Sequence, residues 1–433
     1  MEKFVIDGGH PLSGPIAVSG SKNTALPLMT ATLLPAGISR IHNVPTLRDV
    51  HTYSNVLRVV GAHVAYDEDT KVVTVDATRI AHLEAPYELV KQMRASFYML
   101  GALLGRCGQA RVSLPGGCAW GPRPVDLHLR GLEALGARID LDGGDVVAVS
   151  PASGLPGGRF RLEPSSVGAT VNILLAAVTA RGESVIENAA MEPDVVAFAG
   201  CLVAMGARID GIGTTTLTVQ GVDGLSPIDF ANPADRIELG TFMILAAMGG
   251  APGVPFEITN AAPEQLGSAF LDAFRATGVP FEIDGTRVVV TPTGTVEPVS
   301  VTTGVYPGFP TDLQQQWTVM MALAQGRSTV TDAIYLDRFA HVPELVRMGV
   351  RATLRSNACT IDGGTPIQGA KVMSTDLRGS VSLVMAGLVA RGDTHVGRIY
   401  HLDRGYESLE AKLTACGARV RRETYEENQV DAA

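Results

Sequence analysis

The chain has 433 residues, 46% hydrophobic and 18% charged, with a formal net charge of −9. That length exceeds one hydrophobic core and predicts two domains. The acidic balance argues against a general nucleic-acid surface, and the longest apolar runs, such as residues 173–180, fall short of the roughly 18 residues a membrane span needs.

The first residues, Met1-Glu2-Lys3-Phe4, show no signal-peptide core. Residues 4–18 read as strand. They are expected to complete the end of the chain, whose charged tail from Arg421 lacks a full second strand. An apolar helix then begins near Ser21-Lys22-Asn23, and equivalents begin near Arg94, Ser166, Asp235-Arg236, Thr311-Asp312 and Asp376-Leu-Arg378. Each continues in small and apolar residues on every face, which predicts burial. Each is followed by a strand, a second helix and a glycine: Gly61, Gly136, Gly206, Gly278, Gly349 and Gly417. The steps between these glycines are 75, 70, 72, 71 and 68 residues. Each stands where a helix C-terminus calls for a left-handed residue. The alternating runs that follow, such as Arg138-Ile-Asp-Leu-Asp then Asp145-Val-Val-Ala-Val, read as hairpins.

The chain is thus six copies of one unit. Three units enclose one cluster of apolar helices within sheets, and three enclose another. The expected architecture is a two-domain, inside-out α/β barrel with buried parallel helices. The boundaries read as 21–230 for repeats 1–3, and 1–20 with 231–433 for repeats 4–6. Capping accounts for Ser21, Ser166, Thr311 and Asp376 at the helix starts. It does not account for Lys22, Arg94 or Arg378, since cations are disfavoured there. Parallel helices would aim their positive ends one way, and two such domains would enclose an anion-attracting cleft.

One loop stands apart: Ser113-Leu-Pro-Gly-Gly-Cys118-Ala-Trp-Gly-Pro-Arg123-Pro-Val-Asp126. Prolines stiffen its ends, two glycines free its middle, and Arg123 favours the thiolate of Cys118. The five cysteines contain no C-x-x-C pair, which predicts free thiols in a reducing cytoplasm. Cys107, Cys201, Cys359 and Cys416 read as small packing residues. His128, His341 and His401 read as structural. No metal-ligand spacing, Walker motif or Rossmann glycine pattern occurs.

The motifs Ser19-Gly-Ser-Lys-Asn23, Met93-Arg-Ala-Ser96, Leu114-Pro-Gly-Gly-Cys118 with Gly121-Pro-Arg-Pro-Val-Asp-Leu-His128, Ser166-Val-Gly-Ala-Thr170, Phe309-Pro-Thr-Asp312, Asp337-Arg-Phe339, His341-Val-Pro-Glu344, Thr375-Asp-Leu-Arg378 and Arg404-Gly-Tyr406 run in register along nearly the whole chain. Together they resemble the UDP-N-acetylglucosamine enolpyruvyl transferases, in the family that includes 5-enolpyruvylshikimate-3-phosphate synthase. The resemblance implies transfer of enolpyruvate from phosphoenolpyruvate to the 3-hydroxyl of UDP-N-acetylglucosamine, a committed step towards peptidoglycan. No cofactor, metal or oligomer is required.

The resemblance also assigns roles. Cys118 is the loop thiol, linked to protonation of phosphoenolpyruvate C3, product release and alkylation by fosfomycin. Asp312 is the base for the sugar hydroxyl. Lys22, Arg123 and Arg404 hold the phosphate and carboxylate, which suits a trianionic substrate. Asp376 is linked to proton transfer, and Arg94, Arg338 and Arg378 are basic cleft partners. Asn23, Arg123, Pro124, Val125, Asp126, Leu127, Ser166, Val167, Gly168 and Ile334 match nucleotide-sugar contacts. Pro164 departs from the pattern, since family members often carry lysine there. It leaves open a different hydroxyl acceptor, such as a nucleotide or a shikimate-like alcohol. A non-catalytic repeat scaffold is the other alternative; it would have no need of Cys118, Asp312 and Lys22 together.

Overall fold

In the computed structural model of this chain, the described residues are 1–91, 93–114 and 125–425. They form six four-stranded sheets of identical topology. In each, a short edge strand runs parallel to its neighbour, and two further strands continue antiparallel. The first is typical: Asp229–Ala231 lies parallel to Ile38–His42, which pairs with Val72–Asp76, which pairs with His63–Asp67. One sequence unit repeated six times therefore gives one sheet repeated six times.

The chain divides into two compact units. One is Gly20–Pro233. The other is Met1–Ser19 together with the chain from Ala234 onward. The boundary falls after Pro233 because Asp229–Ala231 is the edge strand of the first repeat's sheet. The N-terminal strand Glu2–Asp7 lies between Asp393–Gly397 and Arg419–Thr424 and fills the third position of the last sheet. Ile16–Ala17 is the parallel edge beside Phe256–Thr259.

Each unit has its own core built on three inner helices. In the first unit these are Lys22–Ala31, Met99–Cys107 and Val167–Ala177. In the second they are Arg236–Gly249, Gln314–Leu323 and Leu377–Val389. Residues 236–247 are all buried, and so are 378–388. Burial of each large apolar side chain contributes roughly 1.5–3 kcal/mol. Helices 99–107 and 167–177 run parallel: a Cβ at Gly101 would overlap Asn172, and one at Gly105 would meet Leu175 O and Ala176. The missing side chains let these two backbones approach. The six repeated glycines all have positive φ, from +75° at Gly278 to +107° at Gly206, and follow the outer helices of their repeats.

Capping differs from expectation at one helix. Ser21, Ser166, Asp235 and Asp376 cap theirs, each accepting from backbone N–H groups. Thr311 does not. Its helix opens with a 3-10 turn, Thr311–Leu313, and its hydroxyl oxygen accepts instead from Arg338 Nη1 at 3.0 Å while its proton goes to Asp332 Oδ2 at 2.7 Å.

Candidate active site

The second unit brings four of the expected residues to the N-terminal ends of its inner helices. Asp312 lies in the 3-10 turn before Gln314–Leu323. Its Oδ1 accepts from Arg338 Nη1 at 2.7 Å, and its Oδ2 from Arg378 Nη2 at 3.1 Å and Nε at 3.2 Å. Burial alone would raise the Asp312 pKa, but the two guanidinium charges override it and hold the carboxyl well below the usual range. Arg378 is 2% exposed, and its pKa is raised because its neighbours, the Asp312 and Asp235 carboxylates among them, outweigh its desolvation. Asp376 caps the third inner helix through the N–H groups of Arg378 and Gly379 at 2.9 and 2.8 Å. One aspartate thus fixes the backbone from which Arg378 reaches the other.

Arg404 ends the 3-10 segment Ile399–Arg404. Half-buried His401 ties it to this cluster: burial lowers that imidazole's pKa, as does Arg404, while Asp376 raises it. Ile334 is 37% exposed, on a turn held by Asp332. Asp332 Oδ1 accepts from the N–H groups of Ile334 and Tyr335 at 2.9 and 2.8 Å and from Thr303 Oγ1 at 2.8 Å. Thr311 joins the two groups, accepting from Arg338 Nη1 at 3.0 Å while donating to Asp332. Asp332 was not found by sequence reasoning. Its signal is local, an aspartate two residues before the first N–H it caps.

In the first unit, Lys22 opens the first inner helix and its ammonium lies 2.8 Å from Asp49 Oδ2. Asp49 comes from a different helix, Arg48–Val59, and no sequence spacing predicts the pairing. Ser21 and Thr24 both donate to Asp194 Oδ1, at 3.1 and 2.8 Å. Asn23 is exposed beside them.

Arg94 opens the 3-10 turn Arg94–Tyr98 that leads into the second inner helix. Its charge acts on His128 of helix Asp126–Ala134, which also carries Asp126 and Leu127. Val125 stands just before that helix and is buried. His128 Nδ1 lies 3.0 Å from Asn172 Nδ2. A Cβ at Gly168 would sit 3.2 Å from His128 Nε2. Arg94, His128 and the Ser166-Val167-Gly168 turn therefore form one group, with Ser166 Oγ accepting from Ala169 N at 3.3 Å.

Cys118, Arg123 and Pro124 lie outside the described residues. Among the other cysteines, Cys201, Cys359 and Cys416 are buried as expected, but Cys107 is exposed. It is the last residue of its helix, where the backbone turns out at Gly108 with φ +74°.

Comparison with known proteins gives these two groups a context. The family model described as EPSP synthase (3-phosphoshikimate 1-carboxyvinyltransferase) matches residues 6–413. A UDP-N-acetylglucosamine 1-carboxyvinyltransferase of Chloroherpeton thalassium is 51% identical over 428 residues, 99% of this chain and 98% of that one. The protein of that name from Chlorobaculum parvum is 49% identical over 99% of this chain and 100% of its own length. Among solved structures, the enolpyruvyl transferase NikO from Streptomyces tendae superposes with a TM-score of 0.89 at 26% identity, over 98% of this chain and 99% of that one. EPSP synthase from Acinetobacter baumannii gives 0.74 at 18% identity over 98% and 100%, a likeness of fold. With a family model spanning most of its length and relatives near 50% identity end to end, the chain belongs to the EPSP synthase family of enolpyruvyl transferases.

Proposed function

We propose that this protein transfers the enolpyruvyl group of phosphoenolpyruvate to the 3-hydroxyl of UDP-N-acetylglucosamine and releases phosphate, supplying the first committed step of peptidoglycan synthesis. The carrying observation is the 51% identity over 99% of the chain to a UDP-N-acetylglucosamine 1-carboxyvinyltransferase.

The reaction adds a proton to C3 of phosphoenolpyruvate and the sugar oxygen to C2. The tetrahedral adduct then loses a C3 proton and expels phosphate, which restores the double bond. Asp312 takes the hydroxyl proton. Its two guanidinium partners keep it ionised and fix both oxygens, so orientation is set before substrate arrives. Engagement of either guanidinium by an anionic substrate would withdraw positive charge from the carboxylate and raise its basicity. Lys22, Arg123 and Arg404 neutralise the phosphate and carboxylate, and Asp376 serves the second proton transfer. Cys118 supplies the proton to C3. The sugar nucleotide engages Asn23, Arg94, residues 123–127, the Ser166–Gly168 turn and Ile334. In this reading the two units close on the substrates and the Cys118 loop covers them, which excludes water from the adduct.

No helix among the described residues is long and apolar enough to cross a membrane. The reaction described uses substrates dissolved in the cytoplasm, and we place the protein there.

The test is phosphate release from phosphoenolpyruvate, with and without UDP-N-acetylglucosamine, on wild type and Cys118→Ser. Release that requires the sugar nucleotide and falls in the variant is expected. Release with another hydroxyl acceptor alone would overturn the acceptor assignment and turn attention to Pro164.

A further inference from the structure

Tyr406 follows Arg404 by two residues, and the reaction scheme above gives it no role. It is 2% exposed, and it meets all three inner helices of its unit near their starts. Its hydroxyl lies 3.0 Å from Thr241 Oγ1 on the first helix and 3.2 Å from Gln316 Nε2 on the second. The Arg378 guanidinium carbon, from the third, sits 5.3 Å from its ring centroid.

The proton directions are determined. The Thr241 hydroxyl donates to Ile237 O at 2.8 Å, so its oxygen accepts from Tyr406. Gln316 Nε2 can only donate, and its two hydrogens are shared among Tyr406 Oη, Thr241 Oγ1 at 3.1 Å and the Asp312 carbonyl, so Tyr406 Oη is on the accepting side of that contact. The phenol is neutral, because burial raises its pKa more than its polar partners lower it. Gln316 Nε2 also lies 3.1 Å from the backbone carbonyl of Asp312. A closed circuit results. It runs from the Asp312 carboxylate to Arg378, from Arg378 to the Tyr406 ring, from the Tyr406 hydroxyl to Gln316, and from Gln316 back to the Asp312 backbone.

We propose that Tyr406 is a positioning residue for the reaction, fixing Arg378 and through it the orientation of the Asp312 carboxylate. The ring supplies a face for a buried guanidinium. The hydroxyl stops that face from turning. The role rests on Asp312 as the base of the proposed function. It predicts a loss in kcat, with little change in binding of UDP-N-acetylglucosamine, because Tyr406 acts on a group poised for proton transfer.

The experiment measures phosphate release and thermal unfolding of the full chain for Tyr406→Leu, Tyr406→Phe, Asp312→Asn and the double variant Asp312→Asn/Tyr406→Leu. Tyr406→Leu is expected to lower kcat about 100-fold, the scale of a ~1 Å misplacement. KM for UDP-N-acetylglucosamine should stay within about twofold. Tyr406→Phe, which keeps the ring, should restore most of the loss. The double variant should be no slower than Asp312→Asn alone, because the two changes act on one group. Wild-type kcat in Tyr406→Leu, or losses that multiply in the double variant, would overturn the proposal. If Tyr406→Leu does not fold, Tyr406→Phe decides: it should lose several-fold in kcat, and an unchanged kcat counts against the role. Full activity in Asp312→Asn would instead remove the base assignment, a separate failure read from a separate variant.

Discussion

Arg378 Nη2 lies 3.1 Å from Asp312 Oδ2, although 66 residues separate them in sequence. The pair joins the starts of two inner helices from neighbouring repeats. Arg338 Nη1 holds the other carboxylate oxygen at 2.7 Å. Both arginines are nearly buried, with side chains 6% and 2% exposed. Two desolvated cations facing one another repel, and the carboxylate between them is what makes their approach tolerable.

Asp312→Asn should therefore damage both chemistry and fold. Loss of a general base costs roughly 10²- to 10⁴-fold in kcat. Removing the charge between two buried cations should cost on the order of 3 kcal/mol. The sign with pH follows from the lowered folded-state pKa. Asp312 contributes stability above its unfolded value of about 4, and that contribution is lost as pH falls below it. Urea unfolding of wild type and variant should show a wide gap at pH 7 that narrows below about pH 4. An equal gap at both pH values would mean that the carboxylate charge is not what the arginines require.

The repeats were legible because each demands the same local conformations. A glycine of positive φ recurs about every 70 residues, and an apolar run starts at a polar residue each time. Those are local demands, and sequence records them. Asp49 and Tyr406 answer distant ones. Tyr406 is 165 residues from Thr241 and 90 from Gln316, and no periodicity carries such a pairing. Thr311 differs for a related reason: a hydroxyl at a helix start reads as a cap, but here its oxygen accepts from Arg338 Nη1, 27 residues away in sequence. Cys107 departs from the apolar pattern of its helix because it is the last helical residue, where the chain turns out to solvent at Gly108.

The tautomer of His128 follows from a single amide. Asn172 Oδ1 accepts from Gly101 N at 2.7 Å, which fixes the amide orientation. Its Nδ2 then donates to Phe97 O at 3.1 Å and to His128 Nδ1. His128 must carry its proton on Nε2. Burial, aided by Arg94, lowers its pKa to about 3. Nitrogen-15 spectra should show a neutral Nε2–H imidazole at pH 5, and an imidazolium signal there would contradict the assignment. Because the unfolded residue titrates near 6.5, the stability linked to neutral His128 is present above that pH and falls as pH drops towards 3. Wild type should lose about 2 kcal/mol more than His128→Gln between pH 6.5 and 5.

Gly101→Ala tests the helix contact beneath that network. The added Cβ would overlap both the backbone and side-chain oxygens of Asn172. Neither can move without parting two inner helices. A destabilisation of about 1–3 kcal/mol is expected, together with loss of the fixed His128 tautomer. A variant of wild-type stability with the tautomer intact would show that the helices have room to part.

The last prediction separates the five thiols. Alkylation requires thiolate. Burial pushes Cys201 and Cys359 up to about 12 and Cys416 to about 11. Cys107 is exposed, but burial around its sulfur still raises its pKa, against the pull of Arg106. None of these four should react readily near neutral pH. Cys118 stands five residues before Arg123 on a glycine-rich stretch, and the resemblance of that stretch to the UDP-N-acetylglucosamine enolpyruvyl transferases makes it the expected target of fosfomycin. Intact-mass analysis should show one adduct on wild type and none on Cys118→Ser, with peptide mapping placing it at Cys118. UDP-N-acetylglucosamine should speed the labelling, since the proposed closure brings Lys22 and Arg404 to the same anion. An adduct of equal yield on Cys118→Ser would move the reactive thiol elsewhere, with exposed Cys107 the first position to map.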